Sequence, residues 1–145
     1  MDMFETTFGA TEINTRSALE DILSKLRPIS ADPVDLETLE IILAEVFNNI
    51  VEHAYDNTHN KLVHAQFTLD RNTLSVQVRD HGKPMPQETL PEGSLADLNV
   101  EFADLPEGGF GWFMIKELSQ NLEYNRVGQE NHLSFEIALQ RSSSA

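Results

Sequence analysis

Alternation at period two, the mark of a strand with one buried face, is clearest in two adjacent runs: Val63, Ala65, Phe67 and Leu69, then Leu74, Val76 and Val78. Asp70, Arg71 and Asn72 join them, so a hairpin is predicted. Leu122 and Tyr124, followed by Leu133, Phe135, Ile137 and Leu139, repeat the pattern further on and predict a closing hairpin. A weaker alternation at Phe4, Thr6 and Phe8 predicts a short opening strand ending near Gly9.

Between these strands the apolar spacing changes to three and four. Leu19, Ile22, Leu23 and Leu26 form the buried face of a first helix that Pro28 stops. Asp32 and Pro33 supply a cap and a first-turn proline for a second, longer helix. Its core stripe is Leu39, Leu43, Val46, Ile50 and Ala54, and it is predicted to run to about Tyr55. Glycines 108, 109 and 111 are predicted to precede a third helix carrying Phe113, Met114, Ile115 and Leu118. From His81 to Glu107 the periodicity gives way to a Pro-rich, acidic stretch, long for a loop and so a candidate lid.

Helices grouped with paired strands, without regular βαβ alternation, predict an α+β, two-layer α/β sandwich: a mostly antiparallel sheet covered by helices on one face. Residues 1–140 are expected to form one domain, with 141–145 a frayed polar tail.

Charge narrows the partners. The 145 residues carry a formal net charge of −14 with scattered Lys and Arg, which argues against direct nucleic-acid or anionic-membrane binding. With no cysteine there is no disulfide, thiolate nucleophile or cysteine metal site. The opening MDMFETTFGATE has neither the positive flank nor the apolar stretch of a secretion signal, so a cytoplasmic location is expected.

Three short constellations could carry chemistry. Glu45, Asn49 and His53 are spaced by four on the second helix, a polar row beside its apolar stripe. A carboxylate there could take a proton from an attacking hydroxyl, and an amide oxygen one turn away could bind a hard cation such as magnesium. Taken alone, Glu45 and Asn49 read more readily as part of a solvated helix face. Asp80 ends an alternating strand with Gly82 two residues on. Such a carboxylate could accept from the exocyclic amine of adenine while glycine lets a base approach the backbone, although Asp-x-Gly is also ordinary turn chemistry. Gly108, Gly109 and Gly111 could aim backbone amides and a helix start at phosphate, or could simply be a hinge.

In this order, Glu45-x-x-x-Asn49, Asp80-x-Gly82 and Gly109-x-Gly111 resemble the N, G1 and G2 boxes of the GHKL superfamily of Bergerat-fold ATPases. The stretches AEVFNNIVEHAY, VRDHGKPMP and PEGGFGWFMIKELSQNLEYNRVGQENHLSFEIAL resemble the RsbW-type anti-sigma-factor serine/threonine kinases. That resemblance implies ATP and Mg2+ as cofactors, with Glu45 as catalytic base and Asn49 as magnesium ligand. It implies Asp80 as adenine anchor, Gly82 in the pocket floor, and Gly108, Gly109 and Gly111 around the phosphates. It also implies a small anti-sigma-factor antagonist protein as substrate, a sigma factor as second partner, and a homodimer.

Two departures from that family pattern stand out. Pro84 to Ile115 contains no Lys or Arg, so phosphate charge must be met by magnesium, backbone amides, Lys83 or Lys116. Trp112 stands where the family usually has a smaller aliphatic residue. A lid without basic residues keeps open an alternative, a non-catalytic module in which nucleotide occupancy tunes affinity for a sigma factor or antagonist.

Overall fold

Inward-facing apolar residues on alternate strand positions need a layer of helices to cover them, and the chain supplies it. The computed structural model describes residues 2–57, 60–90 and 109–142, with the side chains of 109 and 110 left aside. The strands are β1 (Asp2–Gly9), β2 (Leu62–Asp70), β3 (Thr73–Asp80), β4 (Gln120–Val127) and β5 (Glu130–Ala138), and the helices α1 (Glu12–Leu26), α2 (Pro33–Asn49) and α3 (Gly109–Leu118). The five strands pair antiparallel throughout, in the order β1-β2-β3-β5-β4. This is the expected α+β sandwich, with α2 packed between α1 and α3.

Both sequence-predicted hairpins form. Asp70 pairs with Thr73, leaving Arg71 at φ 58° in the two-residue turn, while Gly128 at φ 61° turns β4 into β5. Val63, Ala65, Phe67, Leu69, Leu74, Val76 and Val78 are all buried, as are Leu133, Phe135 and Ile137. Gln66, Thr68, Ser75 and Gln77 occupy the opposite phase, so one face of the sheet carries the core and the other is polar. The core joins these strands to Ile22 and Leu26 of α1 and to Leu39, Ile42, Leu43, Val46 and Phe47 of α2.

Local chemistry sets the helix starts. The Thr11 hydroxyl accepts from the Asn14 N–H at 3.1 Å, and the Asp32 carboxylate accepts from the Val34 N–H at 3.0 Å ahead of Pro33. Neither α1, α2 nor α3 is long and apolar enough to cross a membrane.

The helical layer departs from the sequence-based expectation in two places. The second helix keeps α geometry only to Asn49 and continues as a π-turn, Ile50–Ala54, closed by the Tyr55 N–H on the Ile50 carbonyl at 2.9 Å. A π-turn holds more residues per turn, so the four-residue row stops at Asn49: His53 is exposed, whereas Glu45 and Asn49 are half-buried. The third helix begins at Gly109, so Gly109 and Gly111 form its first turn rather than precede it. Gly108 and most of the candidate lid lie outside the described residues.

Candidate functional site

Strand register assembles one end of the site. Asp80 ends β3 opposite Asn131 of β5, and Asn131 in turn pairs with Arg126 of β4. All three fall on the phase that is apolar elsewhere in their strands, so the sheet ends in a polar row where its core row should continue. Asp80 is 4% exposed and Asn131 5%. Polar groups buried this deeply need partners.

They find them in one another. Asp80 Oδ1 accepts from the Gly82 N–H at 2.8 Å and from Asn131 Nδ2 at 2.8 Å. Asn131 Nδ2 also donates to the Lys83 carbonyl at 2.8 Å, while its Oδ1 accepts from the Tyr124 hydroxyl at 2.5 Å and from Arg126 Nη1 at 3.1 Å. Arg126 Nη1 further donates to the Gly82 carbonyl at 2.7 Å, and the Met85 N–H donates to the Tyr124 hydroxyl oxygen at 3.0 Å. Side chains of β4 and β5 therefore hold the backbone from Gly82 to Met85 in place. Burial raises the Asp80 pKa above its ordinary value; the Asn131 and Gly82 hydrogen bonds and the Arg126 charge act against that rise without cancelling it.

The same turn is pressed onto the end of the helical segment. A Cβ on Gly82 would lie 2.6 Å from the Ala54 carbonyl carbon and 2.7 Å from the Ala54 Cβ, so glycine is required by the approach. The Lys83 N–H donates to the Ala54 carbonyl at 2.8 Å, and Lys83 Nζ reaches Asp56 at 2.8 Å. Tyr55 completes the junction: its hydroxyl donates to the Leu62 carbonyl at 2.6 Å and accepts from the His81 N–H at 2.7 Å. Burial is the main reason the Tyr55 pKa lies above its ordinary value.

The other end of the site lies between α2 and α3. Asn49 Nδ2 donates to the Glu45 carbonyl one turn back at 2.7 Å, so among the described residues its oxygen and second N–H remain for another partner. A Cβ on Gly111 would lie 3.2 Å from the Glu45 carboxylate carbon and closer still to Oε2. Gly111 thus admits the Glu45 carboxylate to the first turn of α3, where the helix dipole favours negative charge. Glycine in a helix costs about 1 kcal/mol relative to alanine, and the close approach gives this one a reason to be there.

The sequence-predicted residues fall into two groups, Asp80 with Gly82 and Glu45 with Asn49 and Gly111, connected through the Ile50–Ala54 turn. Gly109 stands at the start of α3, and Gly108 is outside the described residues. Asn131, Arg126, Tyr124 and Tyr55 were not singled out from the sequence. Asn131 and Arg126 carried a usable signal, because each is a polar residue on the apolar phase of its strand. Trp112 is 4% exposed, a packing position at the start of α3.

The structure thus holds a buried strand-end carboxylate beside a glycine and, on α2, an acidic and an amide side chain one turn apart. Among the described residues no group of three His, Asp or Glu side chains is placed to hold a metal ion.

Known proteins are similar to this chain over part or most of its length. The chain is 31% identical over 90 residues to the serine-protein kinase RsbW of Halalkalibacterium halodurans, a match covering 61% of this chain and 54% of that protein. It is 30% identical over 90 residues to the serine-protein kinase RsbW of Bacillus mycoides, covering 61% and 56%. Against the protein of the same name from Oceanobacillus iheyensis it is 25% identical over 91 residues, covering 62% and 58%. The matched stretch therefore spans a little over half the length of these relatives. The model of the histidine kinase-like ATPase domain matches residues 8–137, nearly the whole of the fold just described, and the chain belongs to that family.

Proposed function

We propose that this chain binds ATP with Mg2+ and phosphorylates a serine or threonine of a small antagonist protein, acting as an anti-sigma factor in a partner-switching circuit in the cytoplasm. The observation that carries the nucleotide part is Asp80. With Oδ1 occupied by Gly82 and Asn131, its second oxygen is left, among the described residues, to accept from the exocyclic amine of adenine, and Gly82 opens the backbone beside it to the base.

At the opposite end Asn49 offers an amide oxygen to magnesium, whose chemistry when bound is to offset charge on the phosphate oxygens. The first turn of α3, with Gly109 and Gly111, faces the phosphates with backbone amides, and Gly108 belongs to the same run. Glu45 acts as general base. It takes the proton of the substrate hydroxyl as that oxygen bonds to the γ-phosphorus, and the bond to the β–γ bridging oxygen breaks, releasing ADP. The serine-protein kinase name of the relatives supports the acceptor class. The RsbW likeness supports the antagonist and sigma-factor partners, and a homodimer is part of the same proposal.

A second reading, nucleotide binding without transfer, is favoured by one specific feature: the absence of Lys and Arg from Pro84 to Ile115, which leaves the triphosphate without a basic side chain from that segment. Incubation with γ-labelled ATP, Mg2+ and a cognate antagonist separates the two. Label is expected on a serine or threonine of the antagonist, and Glu45→Gln is expected to reduce it about 10²–10⁴-fold while leaving nucleotide affinity nearly unchanged. Tight nucleotide binding with no phosphoprotein would establish the second reading instead.

A further inference from the structure

We propose that Asn131 is the positioning residue through which this chain selects adenine: its amide fixes which Asp80 oxygen is spent inside the protein and which is presented to the base. The inference rests on the adenine-nucleotide reading above.

A side-chain amide has two N–H donors and two acceptor lone pairs, and Asn131 uses all four. Its donors go to Asp80 Oδ1 and the Lys83 carbonyl, its acceptor sites to Tyr124 and Arg126. Because Tyr124 and Arg126 both donate, the amide oxygen must face them, and Nδ2 must face Asp80. Turning the amide over would set an oxygen against the carboxylate and the Lys83 carbonyl. The direction in which Asp80 is held is therefore dictated from β4, two strands away from it in the sheet.

Asp80 Oδ1 is saturated by Asn131 and Gly82, while among the described residues Oδ2 receives no donor. An acceptor oxygen fixed in direction discriminates between purines by the group at the six position. The amine of adenine donates to it, whereas the carbonyl of hypoxanthine is repelled by it. Without Asn131 the carboxylate keeps only the Gly82 N–H, is free to rotate, and sits buried with a stronger tendency to hold a proton. In either case the acceptor is no longer dependable. A residue whose role was only to fill space at the end of β5 would change fold stability and leave the choice of base alone.

The experiment is isothermal titration calorimetry of the full chain with Mg2+ and either ATP or inosine triphosphate, which carries a carbonyl in place of the amine, with circular dichroism and melting recorded alongside. The wild-type chain is expected to prefer ATP by about 10–100-fold, and Asn131→Leu, similar in volume but unable to hydrogen-bond, to bring the ratio close to one. Should that variant fail to fold, Tyr124→Phe removes one of the two donors that orient the amide, at a half-buried position, and is expected to lower the ratio about fivefold. A folded Asn131→Leu, or in its place Tyr124→Phe, that retains the wild-type ratio would overturn the inference while leaving nucleotide binding intact. A wild-type chain that binds neither triphosphate would overturn the adenine-nucleotide reading itself, and this inference with it.

Discussion

Around Asp80, side chains from β3, β4 and β5 converge on one buried amide, and the backbone from Gly82 to Met85 hangs from them by hydrogen bonds of 2.7–3.0 Å. Around Glu45, the described contacts are one hydrogen bond within α2 and one close approach to Gly111. The first region is fixed before any ligand arrives, because the sheet that builds it is also the core of the fold. The second is two helices facing each other with space kept open by a missing Cβ. On the proposed reading the first end recognises the base and the second carries the transfer, so substitutions should separate along the same line.

The strongest way to break that contrast is Gly111→Ala. The added methyl meets the end of a flexible side chain rather than backbone, so Glu45 swings aside and the fold survives. Phosphoryl transfer is expected to fall by up to about 100-fold, as displacing a reacting group by about 1 Å can do, with ATP affinity and melting temperature little changed. Single-turnover transfer measured beside calorimetric binding checks this. A loss confined to affinity would mean that Glu45 does not belong to the reacting end.

Asp80→Asn tests the other end. Its Oδ1 can still accept from Gly82 and Asn131, but an NH2 replaces the oxygen left for the base, so adenine-nucleotide affinity should drop about 10–100-fold without unfolding. Acidity sharpens this expectation. Burial raises the Asp80 pKa, so the stability tied to its protonated form is fully present below the unfolded pKa and is lost as pH rises through the folded pKa. The asparagine variant carries no such loss, and its melting temperature should gain on the wild type across that window. Nucleotide binding should move oppositely in the wild-type chain, weakening as pH falls through the raised Asp80 pKa. Melting curves and titrations from pH 4 to neutrality test both directions.

Gly82→Ala probes the seam between the regions. Here the new methyl meets the Ala54 carbonyl, which is backbone and cannot rotate away, so a destabilisation of about 1–3 kcal/mol is expected in urea unfolding. Tyr55→Phe is the mildest of the series. It removes one donor and one acceptor at the same seam, with an expected cost of about 1–2 kcal/mol and a smaller effect on transfer than Gly111→Ala.

Much of this architecture was legible in the pattern of residues. Alternation at Val63–Leu69 and Leu74–Val78, the Asp32-Pro33 cap and the three-four stripe of α2 each specify an element through local physics, and each element formed. The end of α2 was not legible in the same way. Leu39, Leu43, Val46, Ile50 and Ala54 keep a helical spacing straight through the π-turn, because periodicity records which side is buried and not which carbonyl each N–H chooses. The Tyr55 hydroxyl and the approach of Gly82 are long-range contacts that hold that turn, and no window of sequence contains both partners.

For the candidate site, the sequence by itself determined the chemistry on offer: a carboxylate and an amide one turn apart, an acid followed by a glycine at a strand end, and a glycine run opening a helix. Spacing along a helix or strand is set by backbone geometry, so such pairs can be named from their positions. Only the tertiary structure decided that Asn131 and Arg126 complete the Asp80 end and that Gly111 lies against Glu45. Those pairings come from strand order and helix packing, which bring together residues about 50 and 66 positions apart in the chain. Burial then turns each pairing into a requirement, because a polar group withdrawn from water must find its partner inside the fold.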